Sequence, residues 1–431
     1  MSDSGLSRRG LLGATGAGAI AAGGLSTAAR LTPSHSDSGP GAAPENPAER
    51  RYPFRGAHQA GIITAAQDRM HFAAFDLDPR TTREDLIALL TDWTNAAERM
   101  TDGLGAGSLG PLSGPYDAPP DDTGEAIGLP PAGLTITFGF GPTLFGAADG
   151  GGKDRFGLGS RRPAALTRLP HFPGDNLRPQ LSDGDLCIQA CSDDPQVAVH
   201  AVRNLTRIAM GRARLRWSQL GFGRTSSTSD AQSTPRNLFG FKDGTMGLRA
   251  EETDAIDQHV WVPTGADANA SWLEGGSYLV ARKIAMRIET WDRASLREQE
   301  GIVGRTKAEG APLSGGTEFS QPDFSLTGRE GKPLVSLQSH VGIAHPTQNK
   351  GVRLLRRGYN YVDGNDEFGR LAAGLFFIAF VTDPRTHYIP MQTKMSRSDL
   401  MQEYLQHVGS GLFAVPPGVQ AGEFVGQALF T

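Results

Sequence analysis

Cysteine is scarce in this chain of 431 residues, which has only Cys187 and Cys191. Both lie in one predicted strand, DLCIQACS, where four steps of extended backbone put their Cα atoms about 13 Å apart. A disulfide needs these atoms within about 7 Å of each other. The chain also lacks a C-x-x-C-H motif, the usual signature for covalent attachment of a c-type haem. We therefore expect two free, buried thiols and no covalently attached group of that kind.

An excess of either charge is also missing. The chain has 42 Lys and Arg against 46 Asp and Glu, a net charge of −4, and its pI is about 6.2. Proteins that bind nucleic acid usually carry a basic patch and a high pI, so we expect no nucleic-acid partner. A hydrophobic content of 38% supports a sizeable core, and the length allows two domains or one large one.

Strongly hydrophobic runs are absent from the N-terminus, which has a different pattern. Residues 7–12 read SRRGLL, a twin-arginine signal, and residues 10–29 form an uncharged run rich in Ala and Gly. A transmembrane anchor is the alternative, but Gly and Ala favour insertion only weakly. We expect a signal peptide over residues 1–29, a flexible linker over 30–53, and no stable membrane span after cleavage. The protein would be exported to the periplasm, the extracellular space or the cell surface.

Beyond the linker, a strand, helix, strand, strand, helix, strand pattern indicates a ferredoxin-like unit. Its predicted elements are strands within 61–77, at 134–141, around 187–191 and at 213–220, with helices after Thr82 and at 195–210. A second set follows, with strands at 277–289, 371–382 and 411–415 and helices at 295–304 and 398–407. We predict an α+β fold of two ferredoxin-like halves, residues 54–235 and 236–431. Their antiparallel sheets would face each other in a dimeric α/β-barrel-like arrangement.

Two stretches of the second half carry chemistry. Residues 336–361 contain His340 and His345 and then a basic cluster of Arg353, Arg356 and Arg357. Imidazole is a common axial ligand of haem iron, and a guanidinium that cannot lose its proton suits a site that holds negative charge. A buried structural histidine beside solvated arginines is the commoner interpretation of this stretch alone.

The second stretch, residues 240–244, reads GFKDG and contains Asp243. Its flanking residues, Gly240 and Gly244, would let the backbone turn tightly and approach a flat macrocycle closely. By itself a G-x-x-D-G motif is also an ordinary turn.

Together, G-x-x-D-G, the S-H pair at 339–340 and L-R-R-G-Y at 355–359 resemble the dye-decolorizing peroxidase family. The match is closest to its secreted, iron-transport-associated branch, described as deferrochelatases or peroxidases. Five further collinear blocks carry the resemblance: residues 54–62, 156–166, 184–195, 298–313 and 374–385.

The resemblance implies a non-covalent haem b in the C-terminal half, between sheet and helices. His340 would be the proximal ligand of the iron, and Asp243 would move the proton of bound hydrogen peroxide. Adjacent residues of a strand face opposite ways, so only Arg356 or Arg357 should reach the iron, and we choose Arg356. The implied haem contacts are Gly244, Thr245, Met246, Arg305, His345, Pro346, Thr347 and Arg356.

Two of these contacts need comment. Related proteins have a small residue where Met246 stands. Arg305 matches a position that contacts a haem propionate, although a surface charge closing a helix C-terminus is the alternative.

The function implied is reduction of hydrogen peroxide to water through an oxyferryl state, with oxidation of a bulky or small organic donor. An aspartate with an ordinary pKa of about 3.9 remains a competent base in acid, so we expect an acidic optimum. The alternative is an exported deferrochelatase that binds haem and releases its iron, acting with an iron-uptake system. A chlorite-converting haem enzyme fits less well, because it has no use for the G-x-x-D-G block.

Overall fold

The computed structural model describes residues 47–146, 153–329 and 331–431. The predicted signal peptide and residues 30–46 of the predicted linker lie outside these ranges. The last residues of the predicted linker are hydrogen-bonded to the fold, because the N–H groups of Ala132 and Gly133 donate to the carbonyls of Ala48 and Arg50 at 2.8 and 2.9 Å. The folded part of the chain therefore begins before residue 54. No helix within the described ranges is long and apolar enough to cross a bilayer.

The described residues contain the following strands and α-helices, in chain order. The strands are β1 (Arg69–Leu77), β2 (Thr135–Phe140), β3 (Leu186–Ser192), β4 (Ala213–Arg224), β5 (Ser277–Met286), β6 (Leu355–Arg356), β7 (Tyr359–Asn365), β8 (Leu371–Val381) and β9 (Leu405–Val415). The helices are α1 (Arg83–Thr101), α2 (Pro195–Ile208), α3 (Thr253–His259), α4 (Ile288–Trp291), α5 (Leu296–Val303), α6 (His340–Ala344) and α7 (Tyr388–Ser398).

All the strands belong to one antiparallel sheet. The strands of the first half have the order β2-β3-β1-β4, and those of the second have the order β9-β5-β8, with β7 and β6 both on β8. The two groups join where Phe140 of β2 pairs with Ala414 of β9 and where Phe222 of β4 pairs with Asn360 of β7. Because β5 pairs with both β8 and β9, the sheet closes on itself. The predicted facing sheets are therefore opposite walls of one closed, barrel-like sheet.

The first half covers the outside of its sheet with two long helices. Thr82 and Asp85 form the capping box that starts α1, and Asp194 caps α2, whose first residue is a proline. Trp93 of α1 packs against Phe75 and Phe138, with ring centroids 5.3 and 5.7 Å away, and its indole N–H donates to the carbonyl of Leu205 at 2.8 Å. The space between helices and sheet is thus filled by side chains.

The inside of the barrel is a second apolar core. Alternate residues of β1 point into it, including Phe72, which packs against Trp217 and Phe376. Cys187 and Cys191 are buried there as free thiols, as the sequence predicted.

One charged residue, Arg357, is buried beside this core, between β6 and β7. The guanidinium of Arg357 is fully buried and donates to the carbonyl of Thr64 and to the side-chain oxygen of Gln67. The amide of Gln67 in turn donates to the carbonyl of Gly133 at 2.7 Å. Arg357 therefore links a strand of the second half to the segment that precedes β1.

The predicted helix over 398–407 is wrong. The chain forms α7 earlier, then a 3-10 turn over Leu400–Tyr404, and β9 already begins at Leu405. Pro390 lies in the first turn of α7, where a proline loses no hydrogen bond because those N–H groups are unpaired anyway. The segment 405–410 is a strand because it pairs with β5, more than a hundred residues away.

Candidate active site

A cleft opens on the outer face of the second half of the sheet. Its floor is formed by β5, β8 and β9, and its walls by α6, α7 and the loop of residues 237–246. It encloses about 1550 Å³ of empty space, including its open mouth. Apolar side chains dominate the floor: Ile284, Met286, Leu375, Phe377 and Leu405. The cleft is large enough for a broad, flat, mainly apolar ligand.

His340 lies on one wall of this cleft, at the first position of α6. Ser339 caps the helix by accepting a hydrogen bond from the N–H of Gly342 at 3.2 Å, which fixes the start of α6 and therefore the position of the His340 side chain. The imidazole Nδ1 is 2.7 Å from Oδ2 of Asp399, a carboxylate with no exposed surface. The other oxygen of Asp399 accepts the N–H of Met401 at 2.9 Å. Both oxygens of Asp399 are thus engaged, and the imidazole has one fixed orientation.

The neighbouring charges determine which nitrogen of His340 keeps its lone pair. Burial lowers the pKa of His340, but the neighbouring carboxylate of Asp399 raises it by more, with a further contribution from Asp243, and the net pKa is raised. Asp399 accepts a proton from Nδ1, so in the neutral ring Nε2 keeps its lone pair. No hydrogen-bond partner of Nε2 is found among the described residues. His340 can therefore offer a basic, oriented nitrogen to a metal in the cleft.

A second group on the cleft wall centres on Asp243. Its Oδ1 accepts a hydrogen bond from Nη1 of Arg356 at 2.9 Å, and its Oδ2 accepts one from the side-chain amide of Asn237 at 3.1 Å. The ion pair is partly open to the cleft, since 15% of the Asp243 side chain and 27% of the Arg356 side chain are exposed. Each carboxylate oxygen retains a lone pair for a further donor.

The loop that carries Asp243 turns tightly at its glycines, as predicted, and these glycines also let two parts of the chain come close together. Gly240 and Gly244 have φ values of +82° and +87°, which favour glycine. A Cβ at Gly244 would lie 2.8 Å from the Cα of Ser226, and one at Gly240 would meet Lys307. The close approach is thus between two parts of the chain, while Gly244 itself lines the cleft.

Strand direction decides between the two neighbouring arginines, as the sequence suggested. Arg356 pairs in β6 with Ala379 and sends its side chain to Asp243. Arg357 does not line the cleft and is not solvated, because its guanidinium is buried and donates to Thr64 and Gln67 instead.

Arg305 lies on the same cleft and is 3% exposed, so it is not a surface charge at a helix end. Its Nη1 donates to the carbonyls of Gly310 and Glu318 at 2.7 and 2.6 Å, whereas its Nη2 is buried without a partner among the described residues. Burial lowers the pKa of this guanidinium. A buried cationic N–H group without a partner fits an anionic ligand group such as a carboxylate.

The segment after α6 contributes the remaining predicted contacts. His345 and Pro346 line the cleft, but both ring nitrogens of His345 are engaged, Nδ1 with the hydroxyl of Thr347 at 2.8 Å and Nε2 with Gln321 at 3.3 Å. Burial and the charge of Arg305 lower the pKa of His345. Thr347 is exposed and lies off the cleft, where its hydroxyl orients His345.

All the predicted site residues other than Thr347 meet in one cleft. Two further members were not predicted. Asn237 stands in the same loop as Asp243, and a side chain that can hydrogen-bond a carboxylate six residues away was a usable signal. Asp399 had no such signal, because it lay within the incorrectly predicted helix over 398–407. These residues fit haem: an oriented imidazole, an apolar floor, and an unpaired buried guanidinium N–H.

Comparisons with known proteins agree with this geometry. Family models described as Dyp-type peroxidase, N-terminal, and Dyp-type peroxidase, C-terminal, match residues 59–223 and 234–420. The chain is 35% identical over 443 residues to a dye-decolorizing peroxidase of Thermobifida fusca, covering 99% of this chain and 97% of that protein. It is 34% identical over 430 residues to the deferrochelatase of Escherichia coli strain K12, covering 98% and 96%.

Solved structures give the same result. Ferric DtpA from Streptomyces lividans superposes with a TM-score of 0.80 at 39% identity, covering 90% of this chain and 99% of that one. A DyP-type peroxidase from Cellulomonas bogoriensis superposes with a TM-score of 0.78 at 37% identity, covering 89% and 99%.

Proposed function

The chain belongs to the Dyp-type peroxidase family, and from this premise we propose that its cleft holds a non-covalent haem b between His340 and the Asp243–Arg356 pair. The chain is a haem peroxidase, which reduces hydrogen peroxide and oxidises an organic donor. One observation carries the assignment of its residues. A carboxylate-bound imidazole and a carboxylate–guanidinium pair face the same apolar cleft.

The strand orders support two ferredoxin-like halves, because β2-β3-β1-β4 and β7-β8-β5-β9 both read 2-3-1-4 when each half is numbered from its own first strand and the two-residue β6 is left out. The haem belongs to the C-terminal half, residues 236–431, since the cleft has β5, β8 and β9 as its floor.

His340 binds the iron through Nε2 in this proposal. Asp399 keeps the proton on Nδ1 and increases the basicity of Nε2, as second-sphere carboxylates do for metal-bound histidines. Arg305 meets a propionate with its unpaired Nη2, while His345 and Pro346 flank the group. Bound haem supplies the iron at which peroxide is activated and the electrons are exchanged.

Asp243 would transfer the proton of hydrogen peroxide. Its carboxylate accepts the proton from the near oxygen of hydrogen peroxide and returns it to the far oxygen, which leaves as water. Arg356 holds positive charge beside the oxygen that gains electrons as the O–O bond breaks. Asn237 is a positioning residue, since its hydrogen bond to Oδ2 fixes the plane of the carboxylate.

The second candidate is a deferrochelatase function, supported by the relatives that bear this name. We propose that such an activity would use the same cleft and the same His340, with export by the twin-arginine route and an iron-uptake system as partner. A haem carrier has no evident use for Asp243, so this residue separates the two functions.

The decisive test is Asp243→Ala, loaded with haem and mixed with hydrogen peroxide in a stopped-flow spectrometer. We expect an unchanged Soret band before mixing and at least a ~100-fold slower spectral change afterwards, because general acid–base groups contribute about 10²–10⁴-fold.

Asp363→Ala is the matched control, because Asp363 is a carboxylate of β7 outside the cleft that pairs with Lys283. It should react like the original chain. A fast reaction of Asp363→Ala and Asp243→Ala alike would remove the proton-transfer role and favour haem handling.

A further inference from the structure

Methionine is concentrated around the cleft. The chain has nine methionines, and five of them line this one site: Met246, Met286, Met391, Met395 and Met401. Met391 and Met395 are four residues apart on α7, so they share a face. Met246 follows Asp243 by three residues on the wall that carries the carboxylate–guanidinium pair.

Other methionines provide an internal reference. Met70 and Met100 are 1% and 2% exposed, and both lie away from this cleft, Met70 in the barrel core and Met100 in the core beneath the first helices. Met210 is 73% exposed at the surface. If solvent exposure alone decided reactivity towards peroxide, Met210 would react first.

The chemistry of the thioether gives the cleft set a further property. Methionine sulfur is soft and polarisable and is oxidised to the sulfoxide. Packing alone does not require it, because leucine has a similar volume and also fills apolar walls. A site that binds peroxide beside five thioethers therefore contains both an oxidant and a stoichiometric reductant.

We propose that the cleft methionines are sites of peroxide-dependent sulfoxidation and act as the protein's own reductant when no organic donor is present. The inference rests on the peroxidase function proposed above. In each event the sulfur lone pair forms a bond to one peroxide oxygen as the O–O bond breaks. Asp243 accepts the proton of that oxygen and passes it to the departing hydroxide, which gives water. The sulfur loses two electrons, and one peroxide is consumed for each sulfoxide formed.

The order of reaction follows from access to the cleft. Met246 and Met395 are half-buried, whereas Met286, Met391 and Met401 are buried at 5–7% exposure. Met246 and Met395 should oxidise first. Each sulfoxide puts a polar oxygen into an apolar wall, so accumulated oxidation should loosen haem binding and limit the enzyme's lifetime.

The test is peptide mass spectrometry of the haem-loaded protein after exposure to excess hydrogen peroxide without a donor. We expect Met246 and Met395 to gain one oxygen atom faster than Met210 does, by at least about threefold, and an organic donor to suppress their oxidation but not that of Met210. Oxidation ordered by solvent exposure, with Met210 ahead of the cleft set, would overturn the proposal.

Haem-loaded Asp243→Ala separates this inference from the function on which it rests. Cleft oxidation should fall in this variant while Met210 is unaffected. If the original chain consumes peroxide rapidly but its cleft methionines stay intact, the inference fails and the peroxidase function stands. If neither peroxide consumption nor the spectrum depends on Asp243, the proposed function fails instead.

A double substitution, Met246→Leu with Met395→Leu, gives a second readout. The substitutions conserve side-chain volume, and the variant, compared at equal haem content measured from the Soret band, should consume about two fewer equivalents of peroxide in the absence of donor. Met210→Leu is the matched control and should leave this count unchanged. Equal consumption by all three proteins would contradict the proposal.

Discussion

The two halves of the sheet have the same succession of strands but differ in what covers them. Over the first half, α1 and α2 have 19 and 14 residues and press a layer of aromatic side chains onto the strands. Over the second half, α5, α6 and α7 have 8, 5 and 11 residues. Residues 304–339, between α5 and α6, contribute no helix or strand within the described part.

The difference shows how one architecture can either close or open a core. In the first half, Trp93 fills the space between α1 and the sheet. The second half has the cleft on its own strands. In the second half the helix lengths and the irregular segment leave space. His340, which faces this space, stands at the start of α6, and Asp399, which holds its imidazole, comes just after α7. In the proposed assignment the second half is the catalytic one, and the first half is its structural counterpart.

The largest expected effect is on the second half alone. His340→Ala should abolish the Soret band of iron-bound haem, because it removes the proposed metal ligand, while far-UV circular dichroism stays unchanged. His345→Ala is the matched control and should retain the band, since its nitrogens are engaged elsewhere. Haem bound equally well by both variants would contradict the assignment.

Truncation in the two halves should separate them next. Trp93→Ala should lower the free energy of unfolding of the haem-free protein by about 3–5 kcal/mol, as is typical for large side chains in filled cores. Phe377→Ala, on the floor of the cleft, should cost less than half of that, because its surroundings are already open. Chemical denaturation measures both. Equal losses would mean that the cleft is filled in solution.

Asp399→Ala should weaken haem affinity or the rate with peroxide by about 10–100-fold, the usual effect of losing a carboxylate behind a metal-bound histidine. Asp399→Asn keeps an acceptor for Nδ1 and should fall between this variant and the original chain. Haem titration and stopped-flow rates measure the effect. Identical behaviour of all three proteins would show that the 2.7 Å contact does not tune His340.

The smallest expected effect concerns pH. Burial lowers the pKa of His71 in the first half to about 4, and burial together with the charge of Arg282 lowers the pKa of His407 in the second to about 3. Unfolded histidine has a pKa of about 6.5 and binds protons first. Stability is therefore complete above pH 6.5 and falls as pH drops towards 4 and 3, by about 1–3 kcal/mol per residue.

Urea unfolding of the haem-free protein across this pH range tests the prediction. His71→Leu should flatten the curve between pH 6.5 and 4, since Nδ1 of His71 has no partner among the described residues to lose. An unchanged slope would contradict it. The same loss sets a lower limit to any acidic optimum of activity.

Local signals predicted the first half well. Thr82, Asp194 and the apolar stripe of α1 specify helix starts and faces without help from distant residues. The site motifs likewise pointed to His340, Asp243 and Arg356, which the fold brings to one cleft.

Long-range pairing explains the errors. Residues 398–407 were predicted as a helix, yet the chain forms a 3-10 turn over Leu400–Tyr404 and pairs with β5 from Leu405 onwards. Misplacing that segment hid Asp399. The barrel-like arrangement was predicted, but as two facing sheets, since the joints at β2–β9 and β4–β7 that make one sheet are contacts between halves that no local pattern encodes.

The position of Arg357 means that the catalytic half cannot be produced alone. Its guanidinium has its acceptors in the segment before β1, at Thr64 and Gln67. A fragment starting at residue 236 would leave this charge buried without them, or would have to expose it by opening the strand that also carries Arg356. Expression of residues 236–431 alone should thus yield an insoluble or unfolded product rather than a minimal enzyme.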